Sequence, residues 1–201
     1  MLRDIEFLEM PQVQETSHNN NALSLAQGTL IACEDGNIAV ENLKAGDIVN
    51  TLSDGPQVIR WVGATPANTA EIIHLAPGAL GPNSPATPLL IAPHQRLILS
   101  NWRAELLFDS QRVMIQAKSL VNGTSITRVS PETPLALYHI LFDNHEIISA
   151  NNAPCESFLP QASALKTLPA ATHDSIIAQL TNPPEPLTLP TITAAEAALL
   201  S

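Results

Sequence analysis

The sequence predicts an all-β domain made of short strands and hairpins, followed by a Pro-rich, partly helical C-terminal tail. The 201 residues include 17 Pro and 8 Gly, which divide the chain into short elements and leave little room for long helices. Short apolar runs recur roughly every 10 residues with turn-forming residues between them, a spacing typical of all-β domains. Hydrophobic residues make up 45% of the chain, so at this length it can bury a substantial core.

The body of the domain begins with hairpins. Gly28–Cys33 and Asn37–Glu41 are apolar and partly alternating, and Glu34–Gly36 between them forms a turn in which glycine takes a positive φ easily. Further turn residues precede two more predicted strands, Ile48–Leu52 and Val58–Val62.

The middle of the chain continues in the same pattern. A loop rich in Pro and Gly covers Ala76–Pro85. Lys118–Val121 predicts a single helical turn, just before the pair Asn122–Gly123, which is a strong hairpin signal. The strands predicted between these features are Leu89–His94, Arg96–Leu99, Ala104–Phe108 and Arg112–Gln116.

Three parts of the chain are expected to differ in organisation. Residues 1–22 end in a polar run and predict a flexible leader. Residues 23–160 form the predicted domain, which closes with a pair of strands, Leu135–Phe142 and Glu146–Ala150. Residues 161–201 are rich in Ala, Leu, Thr and Pro and predict a tail packed on that domain. The two short helix candidates in the tail are Thr172–Leu180 and Thr193–Leu200.

The charge balance argues against several classes of partner. Lys and Arg total 9 against 19 Asp and Glu, a net charge of −10, so we expect no nucleic-acid partner and no polybasic contact with a membrane. The first ten residues lack the basic start and apolar run of a secretory signal. No window approaches the roughly 18 apolar residues of a membrane span. A cytoplasmic protein is the default expectation, with export by a non-classical route left open.

The two cysteines, Cys33 and Cys155, allow at most one disulfide and lack metal-binding spacing, so no metal or other cofactor is expected. Cys33 lies in an apolar run and is expected to be a small buried hydrophobic residue. Cys155 follows a proline, and an exposed position with a reactive thiol is a second interpretation for it.

Three polar spots interrupt the apolar strands. Ser24 stands at the start of the first strand, where its hydroxyl is either a nucleophile or an ordinary turn residue. His94 lies in a turn between apolar strands, and His145 lies two residues after Asp143 in a later turn. Each histidine is either a general acid or base or a polar loop residue.

Taken in order, these spots resemble the Hint domain, the fold shared by inteins and hedgehog autoprocessing domains. The resemblance covers residues 24–160 and is closest to the bacterial hedgehog/intein branch common in alphaproteobacteria. The segments that resemble this branch are Gly28–Ala32, Val40–Asp47, Asp54–Val62, Pro77–Gly81, Trp102–Phe108, Ala117–Asn122, His139–Glu146, Glu156–Pro160 and Ala195–Leu200. A horseshoe-shaped all-β fold is what the resemblance implies.

The resemblance also implies a reaction on the chain itself. In the family, a Cys or Ser at the first position attacks the preceding carbonyl and converts the amide into a thioester or ester. The fold must protonate the departing amine and stabilise the oxyanion. The implied catalytic residues here are Ser24, His94, His145 and Asp143, with possible support from Thr29, Gln95 and Asn151. The substrate is then the chain's own N-terminal leader, joined through the Leu23 carbonyl.

The sequence departs from the family pattern at several of these positions. Ser24 stands where Cys is usual, and a hydroxyl is a weaker nucleophile than a thiol. Ala92–Gln95 stands where the branch has Ser-Pro-x-His, which places the histidine one residue early. Asn151–Asn152 replaces the usual Asn-Gly, and Glu156–Ser157 replaces the His-Asn that ends a splicing intein, so splicing is not expected.

Two functions follow. In the first, the chain is an autoprocessing Hint domain that cleaves before Ser24, weakly and at most once per molecule. In the second, it is a degenerate, non-catalytic Hint-like module with a structural or binding role.

Overall fold

The computed structural model describes residues 23–66, 71–160, 165, 174, 176, 178–180 and 184–200. The predicted leader, residues 1–22, lies outside the described residues, as does part of the predicted helix at 172–180. In the described part the expected all-β fold is confirmed, because most elements are short antiparallel strands arranged in two sheets.

The strands are short and follow one another closely along the chain. They are β1 Leu25–Ala26, β2 Leu30–Cys33, β3 Gly36–Ala39, β4 Ile48–Thr51, β5 Gly55–Val58, β6 Trp61–Pro66, β7 Ile72–Leu75, β8 Leu89–Ile91, β9 Arg96–Ser100, β10 Arg112–Gln116, β11 Ile126–Val129, β12 Ala136–Leu141, β13 Ile147–Ala150 and β14 Ala153–Glu156. The α-helices whose bounds lie within the described residues are α1 Trp102–Phe108 and α2 Ala194–Ala197, and the 3₁₀ helices are Val40–Asn42, Ala117–Leu120 and Ala198–Leu200. Residues 165, 174, 176, 178 and 179 are also α-helical, and the last four of these lie within the helix predicted at 172–180.

The two sheets divide the chain between them. One has six strands in the order β11-β7-β8-β1-β12-β6. The other runs β10-β9-β14-β13-β2-β4-β5, with β3 paired to β2. The two-residue strand β1 lies between β8 and β12 inside the first sheet, so the residues just before it enter the protein interior.

The early hairpin is confirmed. β2 pairs with β3 from Leu30 opposite Ala39 to Cys33 opposite Gly36, and Gly36 has a φ of 111°, which suits glycine at the turn. The predicted strand Val58–Val62 is wrong, because β5 ends at Val58 and β6 begins at Trp61. The two strands lie in different sheets.

Ala104–Phe108, expected as a strand, lies in helix α1 instead. The side chain of Asn101 caps this helix by accepting a hydrogen bond from the Arg103 amide, and Asp109 ends it in the left-handed conformation. Ala, Glu and Leu are strong helix formers, and together with the cap they outweigh the apolar pattern that resembles a strand.

The expected pairing of the last two strands is also wrong. β12 pairs with β6 and β1 in the six-stranded sheet, whereas β13 pairs with β14 and β2 in the other sheet. The turn Asp143–His145 therefore carries the chain from one sheet to the other. Asn122–Gly123 likewise does not close a hairpin between neighbouring strands, since β11 pairs with β7.

The helical turn expected at Lys118–Val121 is confirmed as the 3₁₀ helix Ala117–Leu120. The tail is partly helical, as predicted: α2 and the following 3₁₀ helix cover the candidate at 193–200, and Thr193 and Glu196 form a capping box. No helix in the described residues is long and apolar enough to cross a membrane.

The main hydrophobic core lies between the sheets. It contains residues from both, such as Ile31 and Ile148 of the larger sheet and Ile73 and Ile140 of the smaller one. Because this core holds both sheets, it fixes the position of β1 and of the residues that lead into it.

Candidate functional site

Ser24 is buried, with 1% of its surface exposed, immediately before β1. Its carbonyl oxygen accepts a hydrogen bond from the Ala92 amide at 3.1 Å. Leu25 pairs with Tyr138 on one side and with Ile91 on the other. The Leu23–Ser24 peptide bond is therefore held at the end of a central strand, with its conformation set by both neighbours.

The same strand pairing brings His139 next to this peptide bond. Because Leu25 is opposite Tyr138 in an antiparallel pair, Ser24 and His139 are the next residues along the two strands. His139 is 1% exposed, and its Nδ1 lies 2.8 Å from the Leu23 carbonyl oxygen. Its Nε2 lies 3.1 Å from the Thr65 hydroxyl.

These partners determine where the proton of His139 lies. A carbonyl oxygen only accepts hydrogen bonds, so Nδ1 carries the hydrogen and donates it to Leu23. Nε2 of the neutral ring then accepts from the Thr65 hydroxyl. Burial lowers the pKa of His139 to about 4, despite the opposing effect of its bond to Leu23. At neutral pH His139 is therefore an uncharged donor to the carbonyl that precedes Ser24.

An aromatic side chain packs against the ring of His139, and a second one lies beside it. Phe158 packs edge-on against it, with ring centroids 5.3 Å apart. Gly63 is the residue opposite His139 on β6, and a Cβ atom there would overlap the ring of Trp61. The absence of a side chain at Gly63 thus allows Trp61 to lie over the strand beside the site.

The turn at Ala92–Gln95 contacts this site through the Ala92 amide, but the two polar side chains in the turn bind other partners. Nδ1 of His94 lies 3.4 Å from the ammonium group of Lys118. Partial burial, and then this neighbouring charge, lower the pKa of His94. Gln95 is buried and donates its amide hydrogen to the Glu156 carbonyl at 2.8 Å.

The late turn contributes to a different cluster. His145 Nδ1 accepts a hydrogen bond from the Leu187 amide at 3.2 Å, so its proton is on Nε2. Nε2 lies 3.1 Å from a Glu156 carboxylate oxygen, but the two atoms lack hydrogen-bond alignment. Asp143 is exposed and binds Arg60, whose pKa it raises. The contacts described for these residues are thus with groups other than Ser24.

The three possible supporting residues have side-chain hydrogen bonds to backbone groups outside Ser24. Thr29 donates its hydroxyl to the Ala26 carbonyl at 2.7 Å, closing the turn after β1. The Asn151 side chain accepts from the Leu30 amide and donates to the Pro88 carbonyl, which joins two loops. Gln95 likewise joins its turn to β14. All three side chains therefore hold backbone segments together.

His139 is the residue that the sequence analysis missed as a candidate. A signal for it exists in the strand Leu135–Phe142, where the alternation places His139 on the same face as Leu137 and Leu141, both fully buried. A histidine on an apolar, buried face needs hydrogen-bond partners. Its partner, the Leu23 carbonyl, is more than 100 residues away in sequence, so only the pairing of β1 with β12 reveals it.

A metal site is not evident in this part of the structure. Among the described residues, no three His, Cys, Asp or Glu side chains are grouped so as to hold a metal ion.

The fold and this site define an all-β domain that holds one of its own peptide bonds against a histidine. The chain belongs to the Hint domain family, whose family model matches residues 23–162. The narrower assignment to the bacterial hedgehog/intein branch stays a prediction.

Several solved structures are similar to the chain. A bacterial intein-like domain from Clostridium thermocellum has 16% sequence identity and a TM-score of 0.48, over 67% of this chain and 98% of its own. The AceL NrdHF class 3 split intein, as a splice-inactive variant, has 12% identity and a TM-score of 0.47, over 67% and 97%. The MchDnaB-1 intein has 10% identity and a TM-score of 0.43, over 65% and 98%. No curated protein matches the chain in sequence. The family assignment therefore depends on the family model.

Proposed function

We propose that this Hint domain cleaves its own chain between Leu23 and Ser24, through an ester formed at Ser24. The observation that carries the proposal is the 2.8 Å hydrogen bond from His139 Nδ1 to the Leu23 carbonyl oxygen, beside the buried Ser24. Attack on a carbonyl places negative charge on its oxygen, and a fixed donor at that atom lowers the barrier.

The reaction has two steps. First, Ser24 Oγ attacks the Leu23 carbonyl carbon and gives up its proton; the C–N bond breaks, the Ser24 nitrogen takes up a proton, and an ester joins Leu23 to Ser24. Water then adds to the ester carbonyl and the C–O bond breaks. This releases the preceding segment with a Leu23 carboxylate and leaves Ser24 with its hydroxyl and a free amine. Each molecule reacts once, so the process is autoprocessing.

His139 acts in both steps as a neutral donor to the same oxygen. Its low pKa keeps the ring uncharged at neutral pH, and the Thr65 hydroxyl favours the tautomer with the hydrogen on Nδ1. The donor is therefore already in position when charge develops, and the protein does not have to reorganise.

Two features predict that the reaction is slow. The nucleophile is a hydroxyl, which is far less acidic than a thiol. The turn that contacts Ser24 has Ala92 in place of a hydroxyl residue, and the Gln95 amide already binds Glu156. His94 and His145 stay predictions as the acid that protonates the departing amine.

The second candidate function is a non-catalytic Hint-like module, and the position of Gln95 favours it. Gln95 stands where the branch has a histidine, is 1% exposed, and joins its turn to β14. A structural amide at this point is what a domain that has lost its reaction would contain.

Intact mass after incubation with and without hydroxylamine distinguishes the two functions. Hydroxylamine attacks an ester at the Leu23 carbonyl and releases the preceding segment as a hydroxamate. Four proteins are compared: the natural chain, Ser24→Ala, Ser24→Cys, and Ser24→Cys with Ala92→Ser, His94→Gln and Gln95→His together. Dithiothreitol serves the same purpose for the thioester of the cysteine variants.

The proposal expects slow release after residue 23 in the natural chain, none in Ser24→Ala, and release at least tenfold faster in Ser24→Cys. The further substitutions should accelerate it again. A full-length mass in all four proteins, folded and treated with both reagents, would establish the non-catalytic module instead.

A further inference from the structure

The side chain of Leu23 lies in an apolar pocket, which we name the acyl subsite. Leu23 itself is 9% exposed. The subsite consists of the buried residues Leu141, Phe158, Leu165 and Ile176, with Trp61 and Leu180 packed against them. Two groups of the residue before the predicted nucleophile are therefore held in place: its carbonyl by His139 and its side chain by this pocket.

We propose that the acyl subsite selects the residue that precedes the nucleophile, accepting an unbranched or branched aliphatic side chain of leucine size. This inference rests on the proposed function, because it concerns the acyl group of the same reaction. Small, charged and larger side chains at position 23 are rejected for three separate physical reasons.

A small side chain leaves part of the pocket empty, so the contacts that position Leu23 are lost. A charged side chain would be buried without a partner, since every member of the subsite is apolar and the nearby His139 is neutral. A larger side chain overfills a pocket whose members Leu141 and Ile176 are 0% exposed and cannot move outward freely.

Phe158 couples the subsite to the chemistry. Its ring lines the pocket and also packs edge-on against His139 at 5.3 Å. Its backbone amide donates to the Ile140 carbonyl at 2.8 Å, which fixes it beside β12. One side chain thus touches both the group that holds the carbonyl and the pocket that holds the acyl side chain. Poor filling of the pocket is therefore expected to misplace the carbonyl as well.

Part of the subsite comes from outside the family-matched region. The match to the Hint domain ends at residue 162, whereas Leu165 and Ile176 come from the C-terminal segment. Ile176 is 0% exposed and Leu165 is 8% exposed, so both are inner members of the pocket. Selectivity for the acyl group is therefore contributed by this chain's own C-terminal segment.

The experiment measures release of the segment before residue 24 in the Ser24→Cys background, with dithiothreitol as the cleaving thiol. Position 23 is varied as Leu, Met, Ala, Asp and Phe. The second factor is Ile176→Ala, which enlarges the pocket, compared with the matched control Leu199→Ala in the same C-terminal region. Leu199 is 58% exposed and lies outside the subsite. Thermal unfolding confirms that each variant is folded.

Met at position 23 should react within about threefold of Leu, whereas Ala, Asp and Phe should each be at least tenfold slower. Ile176→Ala should recover most of the rate of Leu23→Phe and slow the leucine protein. Leu199→Ala should change neither. If Ile176→Ala restores the rate of the Leu23→Phe protein, a general loss of stability cannot explain the result.

Two outcomes overturn the inference in different ways. If the Ser24→Cys parent reacts but the five residues at position 23 react at equal rates, the subsite is not selective and the proposed function stands. If the folded parent does not react at all, the proposed function and the subsite both fail.

Discussion

The tautomer of His139 is set by hydrogen bonds that run in one direction, from Thr65 to the ring and from the ring to Leu23, whereas burial lowers the pKa of the ring and keeps it neutral. Each of these contacts is buried, so water does not compete for the ring nitrogens. Thr65 is accordingly a positioning residue: it acts on the carbonyl only through the tautomer of His139.

Removing the Thr65 hydroxyl tests this dependence. Thr65→Val keeps the shape but leaves Nε2 without its donor, and we expect ester or thioester formation to slow by about tenfold, the size of one buried hydrogen bond of about 1.4 kcal/mol. Thr65→Ser retains the hydroxyl and should react within about threefold of the parent. Release of the segment before Ser24 in hydroxylamine is the measurement. Equal rates for the Val and Ser variants would contradict the assignment of Thr65.

The two cysteines belong to the packing of the larger sheet. Cys155 is completely buried, and burial, followed by the charge of Glu156, raises the pKa of its thiol. Burial, followed by Asp47 and Asp35, raises the pKa of the Cys33 thiol too. The interpretation of Cys155 as exposed is therefore wrong, and that of Cys33 as a buried residue is confirmed.

We predict that neither thiol of the folded protein reacts with a thiol-specific alkylating reagent at pH 8. Reactivity requires a thiolate that the reagent can reach, and burial removes both conditions. Mass spectrometry should find no label on the native chain and two labels after denaturation. Labelling of either cysteine at the denatured rate would show that the strand around it opens.

The site shows what the sequence could and could not predict at the scale of residues. The position of Ser24 before the first strand could be predicted, because it follows from the residues next to it in sequence and from the resemblance. His139 could not be assigned, because its partner lies across β1 and β12 and depends on their register. A shift of one residue in that register would turn His139 to the opposite face.

At the scale of elements, the turns could be predicted from the sequence, but the pairing of the strands could not. Gly36 and Gly55 both have positive φ at hairpin turns, and the β2–β3 and β4–β5 hairpins follow from such local chemistry. The apolar run in α1 looks like a strand until the Asn101 cap is considered. The separation of β12 and β13 into two sheets depends on the core as a whole, which no local pattern contains.

The C-terminal segment around residue 190 behaves as an added edge of the larger sheet. The Met114 amide donates to the Pro190 carbonyl and the Ile192 amide donates to the Met114 carbonyl, both at 2.8 Å. Leu187 and Leu189 pack on a cluster with Met114, and the Leu187 amide binds His145. His145 thus attaches the segment at one end, and β10 attaches it at the other.

His145→Phe tests this attachment. The change keeps an aromatic side chain but removes the acceptor of the Leu187 amide, so hydrogen exchange at Leu187 and Ile192 should accelerate by about tenfold, from the loss of about 1.4 kcal/mol. Amide exchange followed by mass spectrometry of peptides is the measurement, with Leu199→Ala as the matched control. Exchange at the natural rate would mean that packing of Leu187 and Leu189 alone holds the segment.

Burial of the ionisable ring of His139 makes the stability of the whole molecule depend on pH. His139 has a pKa of about 4 in the folded protein and about 6.5 when unfolded, because burial disfavours its charged form. Between these pH values the unfolded chain binds more protons than the folded chain. The free energy of unfolding is therefore not reduced by His139 above pH 6.5, and it decreases as the pH falls from 6.5 towards 4.

We predict that Ser24→Ala, used to prevent cleavage, loses about 2 kcal/mol of its free energy of unfolding through His139 between pH 7 and pH 5. His139→Gln should remove this component, because glutamine can donate to Leu23 and accept from Thr65 without titrating. Urea unfolding at the two pH values measures the difference. His94→Gln is the matched comparison and should change the pH dependence less, because His94 is only half-buried. If Gln at position 139 leaves the pH dependence as it was, the ring takes up its proton without unfolding. The Leu23 carbonyl would then face a charged donor at pH 5, and cleavage of the natural chain, which retains Ser24, should be faster at pH 5 than at pH 7.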